Sequence, residues 1–198
     1  MADDRRSSFF RALTGRANAD VTGSTGGDVR GMLIAAYGAS RRDSSKPDTA
    51  AAAKSLGVSQ RTVQRWLADP TRQHQRPRTE TLNKLTTRAR QAATTKRGRE
   101  KAIRDTLLAK GLPTGMRVSV TGIQGPARDY AYERGMRTCN FDLDDPSLSS
   151  GFITAYIDGG DQGAIDWLRD NSDLTYNMDR WYFGEVEDVD IRGPYGRD

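Results

Sequence analysis

Apolar positions along this chain follow two rhythms, a helical one in the first half and an alternating one in the second. From Asp28, residues Val29, Met32, Leu33, Ala36 and Tyr37 recur at the spacing of one helix face until Gly38. Residues 49–68, TAAAAKSLGVSQRTVQRWLA, then hold Leu56, Val58, Val63 and Trp66 where two short helices can close over one apolar seam. Ala52 and Ala53 keep the first of these helices thin where the second must cross it. Gly57 falls where the first helix has to end, because glycine enters the left-handed region without a Cβ penalty. Ser59 offers a hydroxyl to cap the second. The pattern predicts a helix-turn-helix with the 29–37 helix behind it, since two short helices alone bury too little apolar surface.

The lead-in at 39–48, ASRRDSSKPD, reads as a polar linker, with Asp48 or Thr49 as the helix cap, and Pro70 stops the helix that follows. Residues 79–109 read as one long helix or two shorter ones, opened by Thr79. Leu82, Leu85 and Ala89 form an early stripe, Ile103, Leu107 and Leu108 a later one, and Gly98 is a candidate breaker between them. The basic stretch joining the stripes suits a connector, a helix along DNA, or a solvated surface. Near Met116 alternation takes over: MRVSVTG places Val118 and Val120 on one side of a strand. Phe152, Ile153, Tyr156 and Ile157 mark a helix over 147–158, Gly159 and Gly160 a turn, and Asp161 the cap of a further helix carrying Ile165, Trp167 and Leu168. RWYFGEVEDVDI reads as one or two strands pairing with the strand at 116–120.

The predicted fold class is therefore a mainly α N-terminal helix-turn-helix domain followed by a small α+β domain. The expected organisation is a disordered arm over 1–26, a helix-turn-helix DNA-binding domain over 27–78, a basic helical connector over 79–110 and an acidic α+β domain over 111–198. The arm is expected because charge, Ser, Thr and Gly mix there without a durable period. Within it, Phe9, Phe10 and Leu13 mark a transient turn that docks on a partner or on the protein's own core.

Charge sharpens this division. Residues 1–110 hold 23 Lys and Arg against 10 Asp and Glu, whereas residues 111–198 hold 8 against 16. An acidic surface repels a phosphate backbone, so the second half suits contact with protein, or priming, rather than duplex DNA. A single cysteine, Cys139, excludes an internal disulfide and suits a reducing compartment. No apolar stretch reaches membrane-spanning length, and the first residues lack the apolar region of a signal peptide, so a cytoplasmic, nucleoid-associated protein is expected.

On the second helix of the predicted motif, Ser59, Gln60, Arg61, Gln64 and Arg65 supply the side chains suited to reading base edges and touching phosphate, with Arg72, Arg76 and Arg78 beside them. Double-stranded DNA is the expected partner. Modules of this kind commonly bind as dimers across two half-sites, which suggests a second copy of the chain as a further partner. Phe152, Tyr156, Trp167, Trp181 and Tyr182 are aromatic candidates for that interface or for the domain's own core.

Self-sufficient catalysis is not expected. One cysteine and one histidine, His74 in a basic loop, leave no metal set and no buried orienter for a serine nucleophile. Asp142, Asp144 and Asp145 read as a solvated loop rather than a magnesium site, and the glycines at 23–27 lack the Lys-Ser/Thr ending of a phosphate loop. No metal or cofactor is predicted. A hydroxyl can nevertheless serve as substrate for a polymerase that brings its own metal ions.

GVSQRTVQRWL, followed by RPR, by YIDGGDQGAIDWL and by an acidic tail ending YFGEVEDVDI, resembles the terminal proteins that protect the telomeres of linear Streptomyces chromosomes and plasmids. The resemblance spans about residues 28–192. It implies a protein covalently joined to telomeric 5′ ends, priming the synthesis that fills the recessed end. It also implies a DNA polymerase, a telomere-binding protein and single-stranded telomeric ends as partners. The alternative is a sequence-specific transcription regulator with a dimerisation or effector-binding tail. For the priming hydroxyl, an exposed loop is favoured, and Thr114 in LAKGLPTGMR lies in one between the basic and acidic halves. Ser119, Thr121, Tyr130 and Tyr132 are its rivals.

Overall fold

A computed structural model describes residues 2–68, 75–110, 115–126, 135–173 and 181–193. It shows a mainly helical N-terminal region followed by a small α+β domain with a three-stranded sheet. The chain divides into two compact units, Arg16–Gly98 and a second formed by Met1–Gly15 together with Arg99–Asp198. This differs from the boundaries suggested by composition at both ends of the basic half. The first unit is thus an insertion, in sequence, between two parts of the second.

The Arg16–Gly98 unit holds α2 (Val29–Tyr37), α3 (Thr49–Leu56), α4 (Gln60–Trp66) and α5 (Thr79–Thr94). Asp28 caps α2 and Asp48 caps α3, each carboxylate accepting from two backbone N–H groups of the first turn. Gly57 ends α3 in the left-handed conformation, φ 71° and ψ 33°. Ser59 caps α4, its hydroxyl accepting from Thr62 N–H at 3.1 Å. Met32, Leu33, Ile34, Ala52, Ala53, Val63, Trp66, Leu85 and Ala89 are all buried. Leu56 and Val58 are only half-buried at the edge of the seam.

Helix α5, expected as part of a connector, instead packs on α2 and α3. Its Arg88 guanidinium donates to the Ser55 carbonyl at 2.8 Å and to the Tyr37 hydroxyl at 3.0 Å, tying the ends of α3 and α2 to α5. Arg78, not Thr79, occupies the cap position of α5 and makes no side-chain cap bond. The stretch 79–110 resolves into two helices, with α6 spanning Lys96–Lys110. The break is at Thr95 rather than at Gly98; the Thr95 hydroxyl accepts from Gly98 N–H at 3.0 Å and so caps α6. Gly98 matters for packing instead, because a Cβ there would sit 2.0 Å from the Gln91 carbonyl oxygen and only glycine permits this close approach.

The second unit begins with α1 (Ala2–Thr14), where a disordered arm was expected. Phe9 and Leu13, one turn apart, are buried in the core of the α+β domain, and the Phe9 ring stacks on Tyr156 at a centroid distance of 6.4 Å. Three apolar residues are too few to predict a stable helix by themselves; it is this non-local burial that orders the segment.

The sheet has the order β2-β1-β3, built from β1 (Met116–Pro126), β2 (Gly135–Leu143) and β3 (Trp181–Arg192), with β1 antiparallel to both neighbours. One face buries Met116, Val118, Val120, Phe141, Leu143, Val189 and Ile191 against α1, α6 and α7 (Pro146–Asp170). The turn read at Gly159 and Gly160 is a kink inside α7, where Gly160 adopts φ 67° and ψ −149°. The buried Arg99 guanidinium donates to the Ile157 and Asp158 carbonyls, both at 3.0 Å, and so satisfies the carbonyls that the kink frees. Leu108, read as part of the apolar stripe on α6, is 81% exposed. Among the aromatic interface candidates, Phe152, Tyr156 and Trp181 are buried in this domain's own core, Trp167 packs against it, and Tyr182 is exposed. Cys139 is a buried thiol on β2.

Candidate nucleic-acid interface

The sequence of α4 sorts its seven side chains by face. Val63 and Trp66, three residues apart, point inward, and Trp66 is only 5% exposed. Gln60, Arg61, Gln64 and Arg65 are all exposed. Gln60 and Gln64 are separated by one turn, as are Arg61 and Arg65, so amides and guanidiniums form adjacent rows on the solvent side. The Ser59 cap fixes where these rows begin, and its hydroxyl lies 2.8 Å from that of Thr62.

Gln60 is held in place. Its amide nitrogen donates to the Thr49 hydroxyl at 2.9 Å, linking the first residue of α4 to the first residue of α3. Its carboxamide oxygen has no bond of its own among the described residues. The amide plane is therefore oriented while retaining acceptor and donor capacity, which lowers the entropy cost of a contact made through it. Sequence reading missed Thr49 in this role; the available signal was a hydroxyl residue at the first position of the neighbouring helix, eleven residues before Gln60.

Of the flanking cations, Arg76 and Arg78 are exposed just before α5, whereas Arg72 and His74 lie outside the described residues. Residues Arg16–Gly98 carry 16 Lys and Arg against 6 Asp and Glu. The five described acids are each engaged locally. Asp28 and Asp48 cap helices, Asp20 accepts from Thr22 and from Asp28 N–H, Asp43 pairs with Lys46 at 2.8 Å, and Glu80 pairs with Lys84 at 2.6 Å. The lysine hydrogen bond holds the Glu80 carboxyl below the usual range. Acidic charge is spent on helix ends and turns, which leaves most of the basic charge facing solvent.

The acceptor hydroxyls proposed from sequence divide into two groups. Thr114, Tyr130 and Tyr132 lie outside the described residues. Ser119 and Thr121 sit on β1, on the polar face of the sheet, bonded across to Asn140 and Thr138 at 2.7 Å each. Asp142, Asp144 and Asp145 are not a single loop. Asp142 is on β2 opposite Arg117, which it ion-pairs and whose guanidinium pKa it raises by hydrogen bonding. Asp145 caps α7, and its bonds from Ser147 hold its carboxyl below the usual range. No helix among the described residues is long and apolar enough to cross a membrane.

Comparison with protein families, with curated proteins and with solved structures finds no match.

Proposed function

We propose that this chain binds double-stranded DNA through α3 and α4, acting as a helix-turn-helix, and that it serves as a terminal protein capping telomeric 5′ ends and accepting the first nucleotide of protein-primed synthesis. The observation that carries the DNA-binding reading is the exposed Gln60, Arg61, Gln64 and Arg65 face of α4 set directly over buried Val63 and Trp66. An α-helix about 10–12 Å across fits a major groove about 12 Å wide, where glutamine can pair bidentately with adenine and arginine with guanine. The terminal-protein reading rests on the resemblance of GVSQRTVQRWL, RPR, YIDGGDQGAIDWL and YFGEVEDVDI to that family. Its partners are duplex and single-stranded telomeric DNA, a DNA polymerase, a telomere-binding protein and a second copy of the chain. Nucleotide transfer would form a phosphodiester between a Ser, Thr or Tyr hydroxyl and the α-phosphate of an incoming nucleotide, releasing pyrophosphate, with the polymerase supplying the metal ions.

Two measurements test the two levels separately. Selection of bound duplexes from a random pool should yield a preferred sequence, and Gln60→Ala with Gln64→Ala should relax it at about one position each, at roughly 1–3 kcal/mol per lost contact. Unchanged preference in that double variant refutes the α4 reading. Intact mass of the protein taken from its host with its DNA and digested with nuclease should show a residual nucleotide. Specific binding with an unmodified mass in every preparation refutes the terminal-protein role and leaves a transcription regulator.

A further inference from the structure

The segment read as a polar linker, 39–48, is folded. Ala39 and Pro47 form an antiparallel bridge, and inside it Ser40 N–H donates to the Lys46 carbonyl at 2.7 Å and Lys46 N–H to the Asp43 carbonyl at 3.1 Å. The Asp43 carboxylate accepts from the Ser45 N–H at 3.0 Å and from its hydroxyl at 2.6 Å, and it pairs with the Lys46 ammonium. The Ser40 hydroxyl accepts from Arg42 N–H at 3.3 Å. Asp48 N–H donates to the Gly38 carbonyl at 3.0 Å, which fixes the base of this clip to the start of α3.

The clip exposes Arg41 and Arg42. Neither side chain makes an ion pair or a hydrogen bond among the described residues. The one acid in the clip is already matched by Lys46, so two adjacent guanidiniums supply its net charge. A turn serving structure alone gains nothing from two unpaired neighbouring cations, which repel each other. Their location gives them a use. The clip ends at Pro47, Asp48 caps α3, and the next residue, Thr49, receives the Gln60 amide bond, so clip and recognition face are joined through consecutive residues. Arg41 and Arg42 stand at bends two and three residues from Ala39 at the base, and each long side chain adds its own reach. Duplex DNA presents one negative charge per about 1.7 Å of axis, so a backbone phosphate lies within that reach of a groove-bound α4.

We propose that residues 39–47 are a phosphate clamp, with Arg41 and Arg42 gripping the duplex backbone beside the groove that α4 enters. This rests on the proposed DNA-binding function. Such contacts position the protein without reading sequence, and arginine suits them through its planar fork of donors.

The test is the affinity of the full chain for a mixed-sequence duplex, followed by fluorescence anisotropy across a salt series. Each phosphate contact contributes about 0.9 to the slope of log K against log salt. Arg41→Ala with Arg42→Ala should therefore lower the slope by about 1.8, so that raising salt from about 50 to 200 mM weakens the variant about 12-fold less than the wild type. Arg41→Lys with Arg42→Lys should retain the slope. Arg104→Ala with Arg137→Ala, the same charge loss placed in the other unit, should leave it unchanged. An unaltered slope in the first variant, or an equal fall in the last, overturns the clamp while the α4 reading stands. A wild-type chain without salt-dependent affinity for duplex DNA overturns both.

Discussion

Replacing Phe9 by alanine asks whether the N-terminal helix is an arm or a structural part of the α+β domain. The Phe9 side chain is fully buried and stacks on Tyr156, and Leu13 one turn later is buried in the same core. Truncating a buried phenylalanine costs about 3–5 kcal/mol, the sum of lost transfer energy and the cavity left behind. Against a total domain stability of about 5–15 kcal/mol, that is between about a fifth and all of what holds the unit together. Each kcal/mol moves the melting point of a unit this size by a few degrees, so a fall of roughly 10–20 °C is expected. The assay is scanning calorimetry combined with segment-resolved hydrogen exchange. Protection should fall across β1, β2 and β3, while α2, α3 and α4 in the separate unit keep theirs. A melting point and exchange pattern unchanged from wild type would refute the reasoning and return residues 2–14 to the status of an arm.

Three further outcomes follow from the same geometry. Gly57→Ala places a Cβ in open space but at φ 71°, so it should cost about 1–2 kcal/mol from backbone strain alone, measured by urea unfolding. Trp66→Ala should cost about 3–5 kcal/mol and lower the melting point of the Arg16–Gly98 unit; unchanged melting with lost DNA affinity would make Trp66 a DNA contact instead of a core residue. Asp43 has its carboxyl pKa lowered to about 2 by the Lys46 hydrogen bond and those from Ser45. A depressed folded-state value means its contribution to the clip is present above pH about 4 and is lost as pH falls through about 2. Carboxyl-resolved NMR titration checks this, and a midpoint near the ordinary 3.8 would show that the clip does not form in solution.

The parts legible in the sequence were those whose signals are local. Caps and stops are decided within a few residues, so Gly57 and Ser59 could be placed from spacing alone and the cap of α3 narrowed to Asp48 or Thr49, of which Asp48 is the cap. The alternation of β1 and the apolar residues of β3 announced their pairing for the same reason. β2 was missed because its first half, Gly135–Thr138, carries no buried residue, and because Asp142 looked like part of an acidic loop until its partner Arg117 was known. Helix α1 and the packing of α5 were illegible for a stronger reason: their order comes from surfaces far away in the chain. In the candidate interface the exposed row of α4 was readable from periodicity, whereas the Thr49–Gln60 bond and the clip at 39–47 required three-dimensional proximity.

The insertion also shifts the charge balance of the two parts, because residues 1–15 and 99–110, basic on balance, belong with the α+β domain. Divided by structure, Arg16–Gly98 holds 16 Lys and Arg against 6 acids, and the remainder holds 15 against 20. The basic unit is continuous in sequence, so it can complete its fold during synthesis before the strands of the other unit emerge. The acidic unit cannot. Its core needs Phe9 and Leu13 from one flank and the strands between Met116 and Arg192 from the other. Closing that core means closing a loop that contains the whole basic unit. The two flanks meet where the Thr106 hydroxyl donates to the Thr14 carbonyl at 3.0 Å, and an insert that has already folded leaves less free chain to confine there than 83 flexible residues would. Destabilising the insert should therefore slow refolding of the α+β domain as well as weaken the insert itself. Stopped-flow refolding of Trp66→Ala, followed through hydrogen-exchange labelling of β1 and β3, measures this. Wild-type rates for those strands in a variant whose inserted unit is unfolded would show that the two units fold without regard to each other.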